Sequence, residues 1–532
     1  MPRILWADDE IDLLKPHILF LEAKGYDVTS VANGADAVAK NEQERYDVVF
    51  LDEQMPGMGG LDALQEIKAN RPEVPVVMIT KSEEEQIMED ALGRQIADYL
   101  IKPVNPKQIL LTIKRLLDRE RLRGETVSQD YLSRFGQISM RLSGGLDHAE
   151  WVDLYQELVR FDLDLGDADE NVAEILHNQY REANREFGNF VERYYADWIE
   201  EADTLHRDGD DRPALSHEVL SKYVLPHLEP HSKGRGGDGK PKRPVLFFLI
   251  DCLRFDQWLM LESLLYPHFE IQKDWHWSLL PTATPYSRNA IFSGLLPINI
   301  AQRHRNRWSA GDDDESLNQH EEFFLGDLLK RRRLGDIRMR YDKLITGADG
   351  QAFADKVLDY TQHDLAAIVV NFLDILTHSR SDSAVLKEIA PDEAAFRGLA
   401  RTWFEHSWLF EAFRTLSEQD VTIVLTTDHG AVRSLRPTKV IGDRDTSTSL
   451  RYKFGRNLKC DRSDAIFVKH PEDYGLPRGG LNENYIFCKE DFYFVYPTSY
   501  HRYVQRYNDT FQHGGVSMEE MLLPVVTLRP KG

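Results

Sequence analysis

Through the first 118 residues, short apolar runs alternate with stretches whose apolar positions recur every three or four residues. RILWAD, YDVTSV, YDVVFLD, VPVVMIT and ADYLIK read as strands, and the stretches between them, the last being ILLTIKRLL, read as helices. Five strands interleaved with five helices predict a doubly wound parallel sheet with its ligand chemistry at the carboxyl ends of the strands. From Arg119 to His206 strand-like runs stop, and apolar residues return at helical spacing: Trp151, Leu154, Tyr155, Leu158; Ile175, Leu176, Tyr180; Phe187, Phe190, Val191, Tyr194, Tyr195, Trp198. This is a helical connector bundle. From residue 207 to 532 the alternation resumes, with VLFFLID, AAIVVNFLD, VTIVLTTD, YIFC, FYFVY and LLPVVTL as strands and FFLGDLLKRRR among the helices. A large α/β domain with a mixed sheet is expected there.

Composition narrows the function. The chain has 532 residues, 65 Lys and Arg against 88 Asp and Glu, and a formal charge of −23, which opposes sequence-blind binding to duplex nucleic acid. No helix-turn-helix or basic recognition helix is apparent, so a DNA-binding transcription factor is disfavoured. Cys252, Cys460 and Cys488 are odd in number and lack C-x-x-C spacing, which fits a reducing compartment. The acidic start MPRILWADDEID and the lack of any apolar run near ~20 residues lead to the expectation of a cytoplasmic protein without a membrane span. The segment 229–244 reads as a loop; within it Gly234 to Lys240 imitates a phosphate-binding loop, but Pro241 stands where the metal-binding hydroxyl would be. The acidic stretch Gly311 to Glu315 reads as a solvated loop.

Four features end the first, third, fourth and fifth strands of the first region, in that order: Asp8-Asp9, Asp52, Thr80 and Lys102-Pro103. Three carboxylates at one edge repel one another, and Mg²⁺ with oxygen ligands suits them. Asp52 is then a nucleophile toward phosphorus, Lys102 neutralises the incoming phosphoryl group, and Thr80 donates to it once attached. Each alone is an ordinary cap or turn residue. Together, with ADDE, FLDEQMPGMGG, MIT and DYLIKP, they resemble the receiver domain of two-component response regulators over residues 1 to 118. That resemblance implies phosphorylation at Asp52 by a sensor histidine kinase, Mg²⁺ on Asp8, Asp9 and Asp52, and a switch relayed by Thr80 and Tyr99. It also implies a cis peptide at Lys102-Pro103. Phosphorylation is expected to move a monomer toward a homodimer through the face near Tyr99, with the connector transmitting the change.

The C-terminal region carries a second set. Asp251 and Asp374 end strands, His378 lies four residues after Asp374, Asp428-His429 ends another strand, and His513 sits in FQHGG. Three carboxylates and three imidazoles at one rim suit two Zn²⁺ ions. In LLPTATPYSRNAIFSG a hydroxyl-bearing loop enters a helix start, where an anion is favoured, and Thr284 is the candidate nucleophile between two metals. Singly, Thr284-Pro285 is a common helix start, Asp374 a cap, His378 a surface residue and His513 a turn residue before the capping pattern Ser517 to Glu520.

The order Asp, Thr, Asp-x-x-x-His, Asp-His, His resembles the alkaline phosphatase superfamily, and DCLRFDQW, TATPYSRNAIFSG and TTDHG resemble its PglZ family over residues 207 to 532. The likeness implies one zinc on Asp374, His378 and His513 and another on Asp251, Asp428, His429 and Thr284, with Thr282 the alternative nucleophile. A threonine disfavours a sulfatase and, within the superfamily, points to phosphodiester hydrolysis through a threonyl-phosphate. Arg288 and Asn289 are candidates to hold the nonbridging phosphate oxygens, or else are salt-bridged or capping. Trp275, Trp277, Tyr286, Trp308, Tyr500, Tyr503 and Tyr507 are base-stacking candidates as well as core residues. Receiver, bundle and PglZ-like domain in one chain resemble regulators of the Bacteroidota type IX secretion system, which implies a cyclic dinucleotide or other oligonucleotide substrate. The competing reading is a phosphorylation-dependent scaffold for a sigma factor or secretion component, with little catalysis.

Overall fold

A computed structural model describes residues 2–80, 96–166, 170–228, 243–308, 318–443, 447, 449–480 and 482–531. The segment expected to form the receiver's fourth helix (81–95), the imitation phosphate loop and the acidic stretch 311–315 lie outside the described residues. Two compact units divide between Asp130 and Tyr131.

In the first unit, β1 (Arg3–Ala7), β2 (Asp27–Val31), β3 (Val48–Asp52), β4 (Val76–Thr80) and β5 (Asp98–Ile101) form a parallel sheet in the order β2-β1-β3-β4-β5. The twofold strand period sorts side chains to its two faces. Leu5, Ala7, Val49, Leu51, Val76 and Met78 pack against α2 (Gly34–Gln43) and α3 (Gly60–Asn70) through Ala37, Val38, Ala63, Leu64 and Ile67. Ile4, Trp6, Val48, Phe50, Val77 and Ile79 meet Leu21 of α1 (Lys15–Glu22) and Ile109 and Ile113 of α4 (Pro106–Gly144). The fold is therefore the doubly wound sheet that the alternation predicts. The boundary expected at 118/119 falls inside α4, which runs for 39 residues. RLLDRERLR is rich in strong helix formers and contains no proline, and Gly124 alone costs only about 1 kcal/mol of helix propensity.

The second unit begins with helical packing. Asp147 caps α5 (His148–Leu165) in a reciprocal box with Glu150. Trp151, Leu154, Tyr155 and Leu158 of α5 are buried, as are Leu176, Phe187, Val191, Tyr195 and Trp198 of α6 (Glu170–Glu200). Ile175 and Tyr194, expected on the same apolar face, are more than a third exposed. Both helices lie against the following α/β region. Phe187 meets Trp151 and Trp277 at 5.3 Å each, Trp198 meets Trp277 at 5.1 Å, and the Leu280 N–H donates to the Tyr195 hydroxyl at 2.8 Å.

The α/β region holds β6 (Val245–Ile250), α7 (Phe255–Leu265), β7 (Phe269–Trp277), α8 (Thr284–Ser293), α9 (Glu321–Arg331), β8 (Met339–Leu344), β9 (Leu365–Val370), α10 (Phe372–Asp382), β10 (Thr422–Thr426), β11 (Val432–Ser434), β12 (Thr510–Gln512) and β13 (Leu522–Pro530). The main sheet has the order β7-β13-β10-β6-β9-β8. β10, β6, β9 and β8 are parallel, while β13 is antiparallel to both its neighbours. Covered on both faces, β6, β9 and β10 are buried throughout, which accounts for their unbroken apolar runs. Parallel pairing also sends the carboxyl ends of four strands to one edge. YIFC and FYFVY form strands of two smaller sheets (Asn484–Cys488 and Phe492–Val495). Among the described residues no helix is long and apolar enough to cross a membrane.

Candidate functional sites at the two sheet edges

At the edge of the receiver sheet, β1 leads into Asp8 and Asp9, β3 ends in Asp52, β4 ends in Thr80, and Lys102 follows β5. Asp8, Asp9 and Asp52 bring ligand oxygens within 4.8 Å of one another. Asp8 and Asp52 are buried and Asp9 is exposed. The Lys102 ammonium reaches Asp8 and Asp52, both at 3.0 Å. Burial raises the Asp52 carboxyl above its ordinary range against the pull of Lys102, and the Asp8 charge adds to the rise. Burial alone would lower Lys102, but its bonds to Asp52 and Asp8 raise it instead. The Lys102-Pro103 bond is cis. Gly60 opens α3 against the chain at Asp52, so close that a Cβ there would overlap the Asp52 carbonyl. Tyr99 is partly buried against the α2/α3 side of the sheet, in register with Met78 on β4.

At the edge of the second unit's sheet, Asp251 follows β6 directly, and Asp428 and His429 follow β10. Asp374 is not at the end of its strand, contrary to the expected reading: β9 stops at Val370, and Asp374 lies in the first turn of α10. His378 is one helical turn further along the same face, with Nε2 at 3.4 Å from Asp374 Oδ1. His513 follows β12, which pairs with β11; Gly514 after it has φ +112°, a conformation that favours glycine. Two clusters result, Asp374 with His378 and His513, and Asp251 with Asp428 and His429, each with ligand atoms within 4.8 Å of one another. The His429 and His513 rings stack with centroids 4.1 Å apart, so the clusters adjoin.

Thr284 opens α8, and its Oγ1 stands 3.0 Å from His429 Nε2. Thr282 is fully buried and committed elsewhere: its hydroxyl donates to the Gly515 carbonyl at 2.9 Å and accepts from the Gly514 N–H at 3.0 Å. Of the two hydroxyls, Thr284 alone lines the cavity, of about 220 Å³, that Asp251, Asp374, His378 and His513 share.

The electrostatics suit cations. Burial pushes the Asp251 carboxyl well above its usual range, with Arg288 opposing. Burial also works to raise Asp428 and Asp374, but Arg288 and His429 hold the first low, and His378 and His513 hold the second well below the carboxylate range. Burial lowers His429 to about 4, so it is a neutral imidazole at pH 7, the form that ligates a metal. Asp251 Oδ1 is buried without a hydrogen-bond partner. Buried carboxylate oxygens beside imidazoles are a donor set that fits Zn²⁺, as the all-oxygen receiver cluster fits Mg²⁺.

Arg288 is placed differently from the substrate-binding role considered for it. It is fully buried and ion-paired to Asp251, to Asp428 at 2.9 Å and to Glu321 of α9 at 3.6 Å. Asn289 donates back to the Pro285 carbonyl at 2.8 Å and does not line the cavity. None of the aromatic residues considered for base stacking lines it either. Trp277 packs on α6, Tyr286 is fully buried, and Tyr500, Tyr503 and Tyr507 close a small core with Leu450, Tyr493 and Val495. Asn318, Lys343, Asn371 and Ser379 do line it, and the sequence reading missed them.

Three family descriptions match the chain: a response regulator receiver domain over residues 4–114, a PorX response regulator linker domain over 121–199, and a BREX system PglZ alkaline phosphatase-like domain over 238–528. Among similar curated proteins, the transcriptional regulatory protein ResD of Bacillus subtilis is 32% identical over 117 residues, 22% of this chain and 48% of ResD. The sensory transduction protein RegX3 of Mycolicibacterium smegmatis is 26% identical over 208 residues, 38% of this chain and 86% of RegX3. The solved chemotaxis protein CheY4 of Vibrio cholerae is 31% identical, covering 22% of this chain and 98% of its own, with a TM-score of 0.20. A receiver implies a sensor kinase as partner, and the C-terminal match points to a hydrolase of the alkaline phosphatase superfamily. The PglZ match alone takes in more than half of the 532 residues, behind a receiver and a linker in that order, and so the chain belongs to the PglZ alkaline phosphatase-like family as a PorX-like response regulator.

Proposed function

We propose that this chain is a phosphorylation-controlled phosphodiesterase with a two-zinc site and a threonine nucleophile. Asp52 accepts a phosphoryl group from a sensor histidine kinase, with Mg²⁺ on Asp8, Asp9 and Asp52. Zinc is held by Asp374, His378 and His513 and by Asp251, Asp428, His429 and Thr284. When bound, the two ions supply Lewis acidity that lowers a hydroxyl pKa and offsets the charge on a transferring phosphoryl group. The Thr284 hydroxyl loses its proton to solvent and its oxygen bonds to phosphorus as the bond to the leaving oxygen breaks, that oxygen taking a proton from solvent; water then attacks phosphorus, the Thr284 O–P bond breaks, the phosphomonoester leaves and the hydroxyl is restored. Thr284 Oγ1 stands beside His429 Nε2, so that one ion could take both, and the α8 N-terminus favours the anion beside them. The substrate is a linear or cyclic oligonucleotide, and the output is control of type IX secretion, with a homodimer formed on phosphorylation through the face near Tyr99.

The observation that carries this reading is the convergence of two metal-type clusters and one helix-start hydroxyl on a single cavity. The test is zinc analysis of the purified protein together with turnover of bis(p-nitrophenyl) phosphate. Thr284→Ala is expected to retain zinc and lose roughly 10³-fold in rate; equal rates in the two proteins overturn the reading. One observation favours a second reading, a scaffold for a sigma factor or secretion component. Arg288 already gives Asp251 and Asp428 a counter-charge from within the fold, so the edge can hold together without turnover. A scaffold would bind its partner in a phosphorylation-dependent way while wild type fails to cleave the diester.

A further inference from the structure

We propose that Lys343, with the side-chain amides of Asn371 and Asn318, holds the nonbridging oxygens of the phosphoryl group in the C-terminal cavity. This deepens the hydrolase reading of the same site and rests on it. These three side chains line the cavity that also presents Thr284, Asp251, Asp374 and His513. Arg288, the cation that the sequence offers for the task, is consumed by Asp251, Asp428 and Glu321. Lys343 is the other cationic side chain of the cavity, and it has no carboxylate within ion-pair distance among the described residues.

Its backbone is well placed. Lys343 is the penultimate residue of β8, beside Val369 of β9, and the Asn371 N–H donates to the Leu344 carbonyl at 3.2 Å, tying the two strand ends together. Asn371 stands at the N-cap position of α10, yet its side chain makes no cap hydrogen bond. It is 2% exposed and Asn318 is 4% exposed, and the Oδ1 of each is buried without a partner. A buried amide oxygen left unpaired is costly, so a fold that keeps two in a cavity also lined by a lysine is prepared for a polar ligand. An amide can turn either its NH₂ or its oxygen inward, and an ammonium carries three donors, a combination that suits a tetrahedral oxyanion.

The experiment titrates inorganic phosphate into the zinc-loaded full-length protein by calorimetry, with zinc content and diester turnover measured in parallel. Lys343→Ala is expected to weaken phosphate binding by roughly 10- to 30-fold with zinc content unchanged. Lys343→Gln, closer in shape, guards against a folding defect and should weaken it similarly, while Lys343→Arg restores part of the affinity. Asn371→Ala is expected to weaken binding by roughly 3- to 10-fold. If wild type turns over the diester and the two neutral lysine variants bind phosphate as wild type does, this proposal fails and the hydrolase reading stands. If wild-type protein with zinc bound neither binds phosphate nor turns over the diester, both fail.

Discussion

The receiver edge keeps Asp9 in water beside buried Asp8 and Asp52, whereas Asp251, Asp428 and His429 at the second edge are all buried. Both edges crowd acids at the ends of parallel strands, and both set an internal cation among them: Lys102 at the first, Arg288 at the second. The difference lies in solvent and in donor type. An open, all-oxygen cluster suits a hard, exchangeable ion and, under the proposed function, a carboxylate that takes up and releases a phosphoryl group. A closed cluster with imidazoles suits tightly held zinc, and exclusion of water strengthens every charge inside it.

Four measurements test that contrast. The largest effect is expected at the closed edge: His429→Ala should lower zinc content and cut diester turnover by roughly 10³-fold or more, while acetyl phosphate still labels Asp52. Loss of labelling in that variant would mean the two edges are not independent. Next, Asp52→Asn should abolish labelling, read by intact mass, and leave zinc content unchanged.

The third measurement concerns Glu519, buried beside Asn184 of α6, which donates to its oxygens at 3.2 and 3.1 Å. Burial raises its carboxyl to about 7, with Arg254 opposing and Glu393 adding to the rise. The folded chain then holds a proton that the unfolded chain releases above the usual carboxylate range. That stability is full at low pH, declines as pH rises to about 7 and is level above it, a total of up to about 3 kcal/mol. Denaturant titrations across that window should show the slope, and Glu519→Gln should flatten it. Finally, Gly60→Ala, whose Cβ would overlap the Asp52 carbonyl, should destabilise the receiver by about 1 to 3 kcal/mol. Hydrogen exchange should then rise in β3 and leave β6 unchanged; a rise in both would show that the two units unfold together.

Much of this was legible because parallel sheets turn sequence order into spatial order. Asp52, Asp251 and Asp428 could be found since each closes an apolar run, and strands that run together end together. His378 followed from helical spacing to Asp374. Lys343 was invisible for the opposite reason. MRYDKL sits on an edge strand of mixed polarity, where a lysine reads as solvated, and only its pairing with β9 brings it to the cavity. Asn371 was hidden inside the run AAIVVNFLD, which reads as one strand although the chain turns into a helix after Val370. For Arg288 the sequence left both a phosphate contact and a salt bridge open, because its partners come from three distant segments. Of the aromatic residues near the motifs, Trp277 and Tyr286 are buried in the core and the others pack part-buried or lie outside the cavity lining.

Trp151, Phe187, Trp198 and Trp277 interlock across what the sequence marks as a junction between connector and output region. A protein engineer who excised the C-terminal half would strip one side from that stack and leave indole rings facing solvent. The Leu280 N–H, a few residues before Thr284, would also lose the Tyr195 hydroxyl that receives it. The output half is thus not a detachable cartridge, and its chemistry belongs to a chain that carries its own bracing helices.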